Sequence, residues 1–195
     1  MTDEGVWHIL LGTSTNYLDI VACAADGSQI AFLSNSQPSS EGITSECQDL
    51  CRYGQGGVAS VHAQGELILW HGFPEAPYYT PIQTVHTAGV PTAIRPVSEF
   101  LAVAYGSGTV RFFSMQSLDL HAEADLHGRL INAMDSHPTG LLVTAGEDTI
   151  VNIMQIDASG EMSPPWTQLR KFESTLLAEK RTISHMSSRS VFFQI

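Results

Sequence analysis

Several residues of this chain have side chains that could catalyse a reaction or bind a metal. Cys47 and Cys51 are spaced loosely like zinc ligands, but a structural zinc site needs four ligands and no second pair stands nearby. The glycine-rich run 53–57 lacks the Lys-Ser/Thr and the helix that a phosphate-binding loop requires. The adjacent carboxylates Glu147 and Asp148 stand in a predicted hairpin turn, where they point apart and cap the turn. The sequence therefore predicts no catalytic, cofactor-binding or metal-binding residue and no cofactor.

Composition narrows the class of partner. The 195 residues carry a formal net charge of −11, which disfavours nucleic acid as a partner because that affinity depends on Lys and Arg. No apolar run reaches the roughly 18 residues that cross a bilayer, so membrane insertion is not expected. The acidic start lacks the features of a secretory signal, and the three cysteines suit reduced thiols. These features predict a cytoplasmic, intracellular protein.

A short pattern recurs four times along the chain. A run of small, apolar residues ends in a turn of Gly, Asp or Ser, and a run of β-branched and aromatic residues follows at once. The four copies lie near residues 20–33, 58–70, 101–113 and 142–154. Counted from the second turn residue of each copy, the spacings are 38, 43 and 40 residues. A period of about 40 residues built from strands and tight turns is typical of propeller blades.

Each copy of the pattern predicts a β-hairpin. The first run is small and apolar, as expected of a strand that is covered on both faces. The second run carries larger residues, such as Phe112, so that successive sheets can pack face to face. Further strand-like runs flank the hairpins, including residues 91–97 before the third and 78–85 after the second. The sequence thus predicts four strands per repeat, the composition of a propeller blade.

The last hairpin, at residues 141–153, reads Leu-Leu-Val-Thr-Ala-Gly-Glu-Asp-Thr-Ile-Val-Asn-Ile. This run resembles the third-to-fourth-quarter phrase of a WD repeat. His127 stands where that family places the His of its Gly-His pair. On these residues the chain resembles the WD-repeat β-propeller family, most specifically over residues 64–156. The resemblance implies an all-β fold, with a partial propeller of about four blades over residues 1–157.

The chain departs from the family pattern in its Trp-Asp pairs. The corresponding pairs are Leu33-Ser34, Trp70-His71, Phe113-Ser114 and Met154-Gln155. The family often ties a blade together with a buried set of His, Ser or Thr, Asp and Trp. The resemblance assigns three of these places in the last repeat to His127, Thr144 and Asp148. Met154, at the fourth place, has no N–H to donate.

The resemblance also implies a function: a non-enzymatic scaffold that displays loops at the rims of its blades to protein partners. The residues in or next to the turns that we expect at such a rim are His86, Tyr105, Arg111, His127 and Arg129. One alternative is a structural subunit or truncated isoform that completes its propeller with another chain. A remote alternative is a propeller hydrolase, because some propellers carry carboxylates or metals at a central channel.

The end of the chain departs from the repeat. Residues 158–195 are predicted to be a divergent tail, in which the apolar residues of 166–181 fall near one face of a helix. Rings close with about 4–8 blades of about 40 residues each, and this length holds fewer than five. An open arc would leave strand edges and an apolar blade face exposed, so self-association through open edges is a further expectation.

Overall fold

The structure is a computed structural model that describes residues 6–14, 17–24, 26–36, 45–54, 56–73, 76–157 and 165–173. Within those residues it contains fifteen β-strands and no helix. The strands are β1 (Val6–Gly12), β2 (Leu18–Ala24), β3 (Ile30–Ser36), β4 (Cys47–Tyr53), β5 (Gly57–His62), β6 (Glu66–Phe73), β7 (Ala76–His86), β8 (Pro91–Val97), β9 (Phe100–Tyr105), β10 (Thr109–Ser114), β11 (Leu120–Asp125), β12 (Ile131–Ser136), β13 (Leu141–Gly146), β14 (Ile150–Ile156) and β15 (Trp166–Glu173). No helix long and apolar enough to cross a membrane is found in these described ranges.

The strands form four antiparallel sheets in which each strand pairs with its neighbour in sequence. The sheets are β1-β2-β3, β4-β5-β6-β7, β8-β9-β10-β11 and β12-β13-β14-β15. The four predicted hairpins are β2-β3, β5-β6, β9-β10 and β13-β14. The prediction of an all-β partial propeller is therefore confirmed.

The first strand of the second hairpin, β5, and the first strand of the third hairpin, β9, are buried along their whole length. In the third hairpin, Ala102 on β9 pairs directly with Phe112 on β10, and neither is exposed to solvent. A small residue beside a large one lets neighbouring sheets approach to the usual packing distance of about 10 Å.

The chain divides into two compact units, the first ending at Thr87 and the second beginning at Ala88. The first unit has a core between its two sheets, formed by Leu18, Val58, Ile68 and Trp70. The second unit has a larger core, to which both of its sheets contribute. Its members include Ala102, Phe112, Met134, Leu142 and Met154.

The predicted helix at 166–181 is wrong over the residues that the structure describes. Residues 166–173 form β15, which pairs with β14 from Ile156↔Trp166 to Ile150↔Glu173. The fourth sheet thus includes residues of the divergent tail that the sequence predicts after residue 157. An unpaired edge of β14 outweighs a helical spacing of apolar residues over so short a segment. The rest of that helix, residues 174–181, and the tail residues 158–164 and 182–195 lie outside the described residues.

Candidate interaction rim

Four loops at one end of the strands of the second unit are linked to each other. We call them the second-unit rim, which comprises residues 88–90, 106–108, 126–130 and 147–149. The Gly106 N–H donates to the Val90 carbonyl at 2.9 Å, and the His127 N–H donates to the Gly108 carbonyl at 3.0 Å. The Glu147 N–H then donates to the Leu130 carbonyl at 2.9 Å. Each loop is thus held to the next by the backbone alone.

A buried histidine fixes the loop of residues 126–130. The His127 side chain is fully buried, with Nδ1 2.9 Å from Asp148 Oδ1 and Nε2 2.8 Å from Thr144 Oγ1. The Asp148 carboxylate also accepts from the backbone N–H groups of Gly128 at 2.9 Å and Ile150 at 3.1 Å. The three residues that the resemblance assigns to a structural network are therefore brought together by the structure.

Asn152 completes this network in place of the missing tryptophan. Its Nδ2 lies 3.2 Å from His127 Nε2 and donates to the Leu126 carbonyl at 3.0 Å. Its Oδ1 accepts from Gln168 Nε2 at 2.6 Å. When His127 carries its proton on Nδ1 and donates it to Asp148, His127 Nε2 accepts hydrogen bonds from both Thr144 and Asn152. Sequence analysis missed Asn152; the available signal was a polar residue two positions before Met154, on the same face of β14.

The Asp148 carboxyl is stabilised in its ionised form. Burial opposes ionisation, but the hydrogen bonds from His127, Gly128 and Ile150 outweigh it and lower the pKa of Asp148 below its usual value. A carboxyl whose pKa is lowered by folding adds stability above its unfolded pKa of about 3.9. That contribution is lost as the pH falls through the folded pKa, so the network is intact at neutral pH.

The first unit has a second buried network, which joins five side chains and one carbonyl. Trp70 Nε1 donates to Ser60 Oγ at 2.8 Å, and Ser60 Oγ lies 2.9 Å from His62 Nε2. His62 Nδ1 lies 3.1 Å from the Ser45 carbonyl, and Ser45 Oγ donates to Glu66 Oε2 at 2.6 Å. All five residues are buried. The signal in the sequence was Ser60-x-His62 on one face of β5, opposite the strand that carries Trp70.

Burial lowers the pKa of His62, although the Ser45 carbonyl and Glu66 partly oppose the effect. In the unfolded chain this histidine is protonated below about pH 6.5. In the native state it stays neutral to a lower pH, because its pKa is lowered. We therefore expect the free energy of unfolding to fall between pH 7.5 and 5.5, by at most about 1.4 kcal/mol, because pH 5.5 lies about one unit below the pKa of an unfolded histidine. Urea denaturation at both pH values measures the loss.

The control for this pH prediction is the variant His62→Gln. It should flatten the pH dependence of the free energy of unfolding even though it lowers stability. Equal slopes in the wild type and His62→Gln would contradict the assignment. If His62→Gln does not fold, histidine NMR titration of the wild type still tests it, because one imidazole must titrate below the usual range.

The structure separates the five residues predicted to bind a partner. His86 at the end of β7 and Arg129 in the second-unit rim are exposed, and Arg111 is partly exposed. Tyr105 is only 1% exposed and His127 only 7%. The side chains of Tyr105 and His127 therefore lie inside the fold, because a turn residue of a stacked blade can point inward as readily as outward.

Arg111 holds one rim loop in place. Its guanidinium carbon lies 4.4 Å from the centroid of the Tyr105 ring, within the range of a cation–π contact. The same group donates to the Glu123 carboxylate and to the Ala88 carbonyl. Burial alone would lower the pKa of Arg111, but the bonds to Glu123 and Tyr105 raise it. Arg111 thus fastens the loop of residues 88–90 to β10.

The cysteines have the properties of structural thiols. Cys23, Cys47 and Cys51 form no disulfide bond. Burial, followed by the nearby charge of Asp49, raises the pKa of the Cys47 thiol to about 12. A thiol with that pKa is protonated at neutral pH, whereas the thiolate is the nucleophilic form. Throughout the described ranges, no group of three or more His, Cys, Asp or Glu side chains could hold a metal ion.

Antiparallel sheets in sequence order, with His–Ser/Thr–acid networks at the hairpin turns, define a WD-repeat type of β-propeller fold. The chain belongs to the WDR54 family, whose family model matches residues 4–167. The resemblance predicted over residues 64–156 is thereby confirmed.

The chain is similar to three curated mammalian proteins. WD repeat-containing protein 54 of Mus musculus is 29% identical over 161 residues, which cover 80% of this chain and 47% of that protein. WD repeat domain 54 of Rattus norvegicus is 33% identical over 113 residues, or 55% of this chain and 33% of that protein. WD repeat-containing protein 54 of Homo sapiens is 31% identical over 99 residues, which cover 50% of this chain and 29% of that protein. The chain spans about half or less of the length of these relatives.

A solved structure shares the fold. The computationally designed Ika8 protein superposes with a TM-score of 0.60 at 14% sequence identity. The match covers 86% of this chain and 46% of that one.

Proposed function

We propose that this chain is a non-enzymatic protein-interaction scaffold and that the second-unit rim is the surface it presents to a protein partner. Membership of a WD-repeat family supports the general role. The observation that supports the location is the series of hydrogen bonds that joins each rim loop to the next. Loops that are already ordered lose little conformational entropy on binding, which favours affinity.

The exposed side chains of the second-unit rim suit a protein surface. Val90 is 54% exposed, and Ser107, Arg129 and Glu147 are also exposed. The loops are close together, because a Cβ placed on Gly106 would lie 3.7 Å from the Val90 oxygen and 3.8 Å from Leu130 Cδ1. The rim thus combines one apolar side chain with charges of both signs. Protein interfaces have the same composition, with an apolar centre and a polar edge.

The remaining parts of the proposal follow from charge and chemistry. A net charge of −11 makes nucleic acid a poor partner. Three cysteines that form no disulfide bond favour an intracellular location. A hydrolytic role for the Glu147-Asp148 pair is disfavoured, because Asp148 is fully engaged with His127, Gly128 and Ile150.

Charge reversal at Arg129 tests the rim. We expect Arg129→Glu to weaken binding of rim-dependent partners by about 30-fold, equivalent to 2 kcal/mol, because a hot-spot arginine contributes that much. Affinity purification with quantitative mass spectrometry identifies the partners, and titration of a purified partner gives the affinity.

The matched control reverses an exposed arginine on β4, Arg52→Glu, outside the second-unit rim. Partners that are lost with Arg129→Glu and kept with Arg52→Glu support the proposal. If the double variant Val90→Asp, Arg129→Glu is folded by circular dichroism and keeps every partner at wild-type affinity, the rim is not the binding surface.

A further inference from the structure

One hydrogen bond joins an edge strand of the fourth sheet to the buried network beneath the second-unit rim. β15 is the last strand of that sheet and pairs only with β14 among the described strands. Gln168 on β15 is exposed, whereas Asn152 on β14 is 0% exposed. The 2.6 Å bond from Gln168 Nε2 to Asn152 Oδ1 therefore extends the network from the interior to an exposed position.

A β-bulge places the Gln168 side chain on the same face as Asn152. The register of β14 with β15 shifts between Ile153 and Met154, so that Leu169 has no paired residue on β14. Gln168 pairs with Met154, which follows Asn152 by two residues on the buried face of β14. Bulges re-aim side chains in this way and are over-represented next to functional sites. The position of Gln168 is thus set by the pairing of the two strands.

The donors and acceptors of the network fix its direction. The ionised Asp148 carboxylate can only accept, so the His127 Nδ1 beside it carries the proton and His127 Nε2 accepts. Asn152 Nδ2 then uses its two N–H groups on His127 Nε2 and on the Leu126 carbonyl. The Oδ1 of the same amide must point the other way, toward β15, where it needs a donor. Gln168 Nε2 is that donor, and a side chain that only accepts cannot replace it.

The other end of this series of bonds holds the loop that carries Arg129. The Leu126 carbonyl accepts from Asn152, the His127 ring is bonded at both nitrogens, and the Gly128 N–H donates to a carboxylate at 2.9 Å. Three consecutive residues before the exposed Arg129 are therefore fixed by side chains of the network. Turning the Asn152 amide around would set its Oδ1 against the Leu126 carbonyl and the lone pair of His127 Nε2, and both contacts are repulsive.

We propose that Gln168 is a positioning residue for the second-unit rim: its amide sets the direction of the Asn152 amide and, through His127, the position of the loop that presents Arg129. This inference rests on the proposed function, because it names a residue that controls the same surface from outside it. A change on the exposed edge strand β15 then alters binding at a rim to which Gln168 does not belong.

Gln168→Glu tests the direction of the bonds, because it keeps the size of the side chain and replaces the N–H donor by an acceptor. We expect the Asn152 amide to turn and offer Nδ2 to the new carboxylate, so that its Oδ1 faces His127 Nε2. Nitrogen-15 NMR of the imidazole should then show a proton on Nε2, where the wild type carries it on Nδ1 alone. Titration of a partner that Arg129→Glu releases should show an affinity about tenfold weaker than in the wild type, since the loop loses bonds that hold it.

Two control variants separate the direction of the bonds from the added charge. Gln168→Lys keeps N–H donors and should retain both the Nδ1–H form of His127 and wild-type affinity. Thr167→Glu adds a negative charge at the exposed neighbouring residue on the opposite face of β15, where Thr167 pairs with Gln155, and it should also behave as the wild type. If Gln168→Glu leaves the His127 ring unchanged, or weakens binding no more than Thr167→Glu does, the proposal is overturned.

The NMR measurement needs no partner, so the two proposals can fail separately. The proposed function fails when Arg129→Glu keeps every partner, even if the His127 ring still responds to Gln168→Glu. The positioning role fails when Arg129→Glu releases partners and Gln168→Glu does not weaken them. Circular dichroism shows whether each variant is folded. If Gln168→Glu is not, Gln168→Met removes the donor without adding charge, and it should weaken binding where Gln168→Lys does not.

Discussion

Replacing Trp70 by alanine is expected to lower the free energy of unfolding of the first unit by about 3–5 kcal/mol. The side chain is fully buried and packs in one core with Leu18, Val58 and Ile68. Its Nε1 also donates to Ser60 Oγ, so the substitution removes both packing and one link of the buried network. Hydrogen exchange of the β5 and β6 amides, together with urea denaturation, measures the loss in this unit.

Trp70→Phe separates the two contributions. It keeps an aromatic ring in the core but removes the N–H, and we expect a loss of about 1–3 kcal/mol. Combining Trp70→Phe with Ser60→Ala should cost less than the sum of the single substitutions, because both partners of the bond are then absent. If Trp70→Phe is as stable as the wild type, the hydrogen bond to Ser60 contributes nothing and packing alone accounts for the role of Trp70 in the unit.

The strands were predictable because their signal is local. The residues 91–97 that sequence analysis assigned to a strand are β8, with the same bounds. Each hairpin combines a small, apolar run with a turn that only a few residue types favour, and Gly27, Gly65 and Gly108 adopt positive φ at these turns. Four repetitions of a local signal fix both the class of fold and the register of its hairpins.

The networks were harder to predict because their members come from different strands. Nothing near Asn152 in sequence shows that it faces His127, which lies 25 residues away. The burial of Tyr105 depends likewise on Arg111, which covers its ring from the next strand. The strand at 166–173 depends on the free edge of β14, a partner that helical periodicity does not consider. In each case a tertiary contact, rather than a local preference, decides the outcome.

Gly108→Ala is the second substitution from which we expect a large effect, about 2–4 kcal/mol of destabilisation. Gly108 has φ +91°, a conformation that residues with a side chain rarely adopt. A Cβ at this position would lie 2.1 Å from the His127 carbonyl oxygen and 2.7 Å from that of Arg129. Both contacts are with backbone atoms, so a side-chain rotation cannot relieve them.

Gly128→Ala is the matched control, since no atom lies within 4 Å of a Cβ placed there and its φ is not positive. We expect it to change stability by less than about 0.5 kcal/mol in thermal or urea denaturation. Gly108→Ala should also displace the loop that carries Arg129, because His127 N–H donates to the Gly108 carbonyl. It should therefore weaken partner binding under conditions where the variant is still folded, whereas Gly128→Ala leaves binding intact. If Gly108→Ala is destabilised but binds partners with wild-type affinity, the position of this loop does not determine recognition and the second-unit rim loses its role.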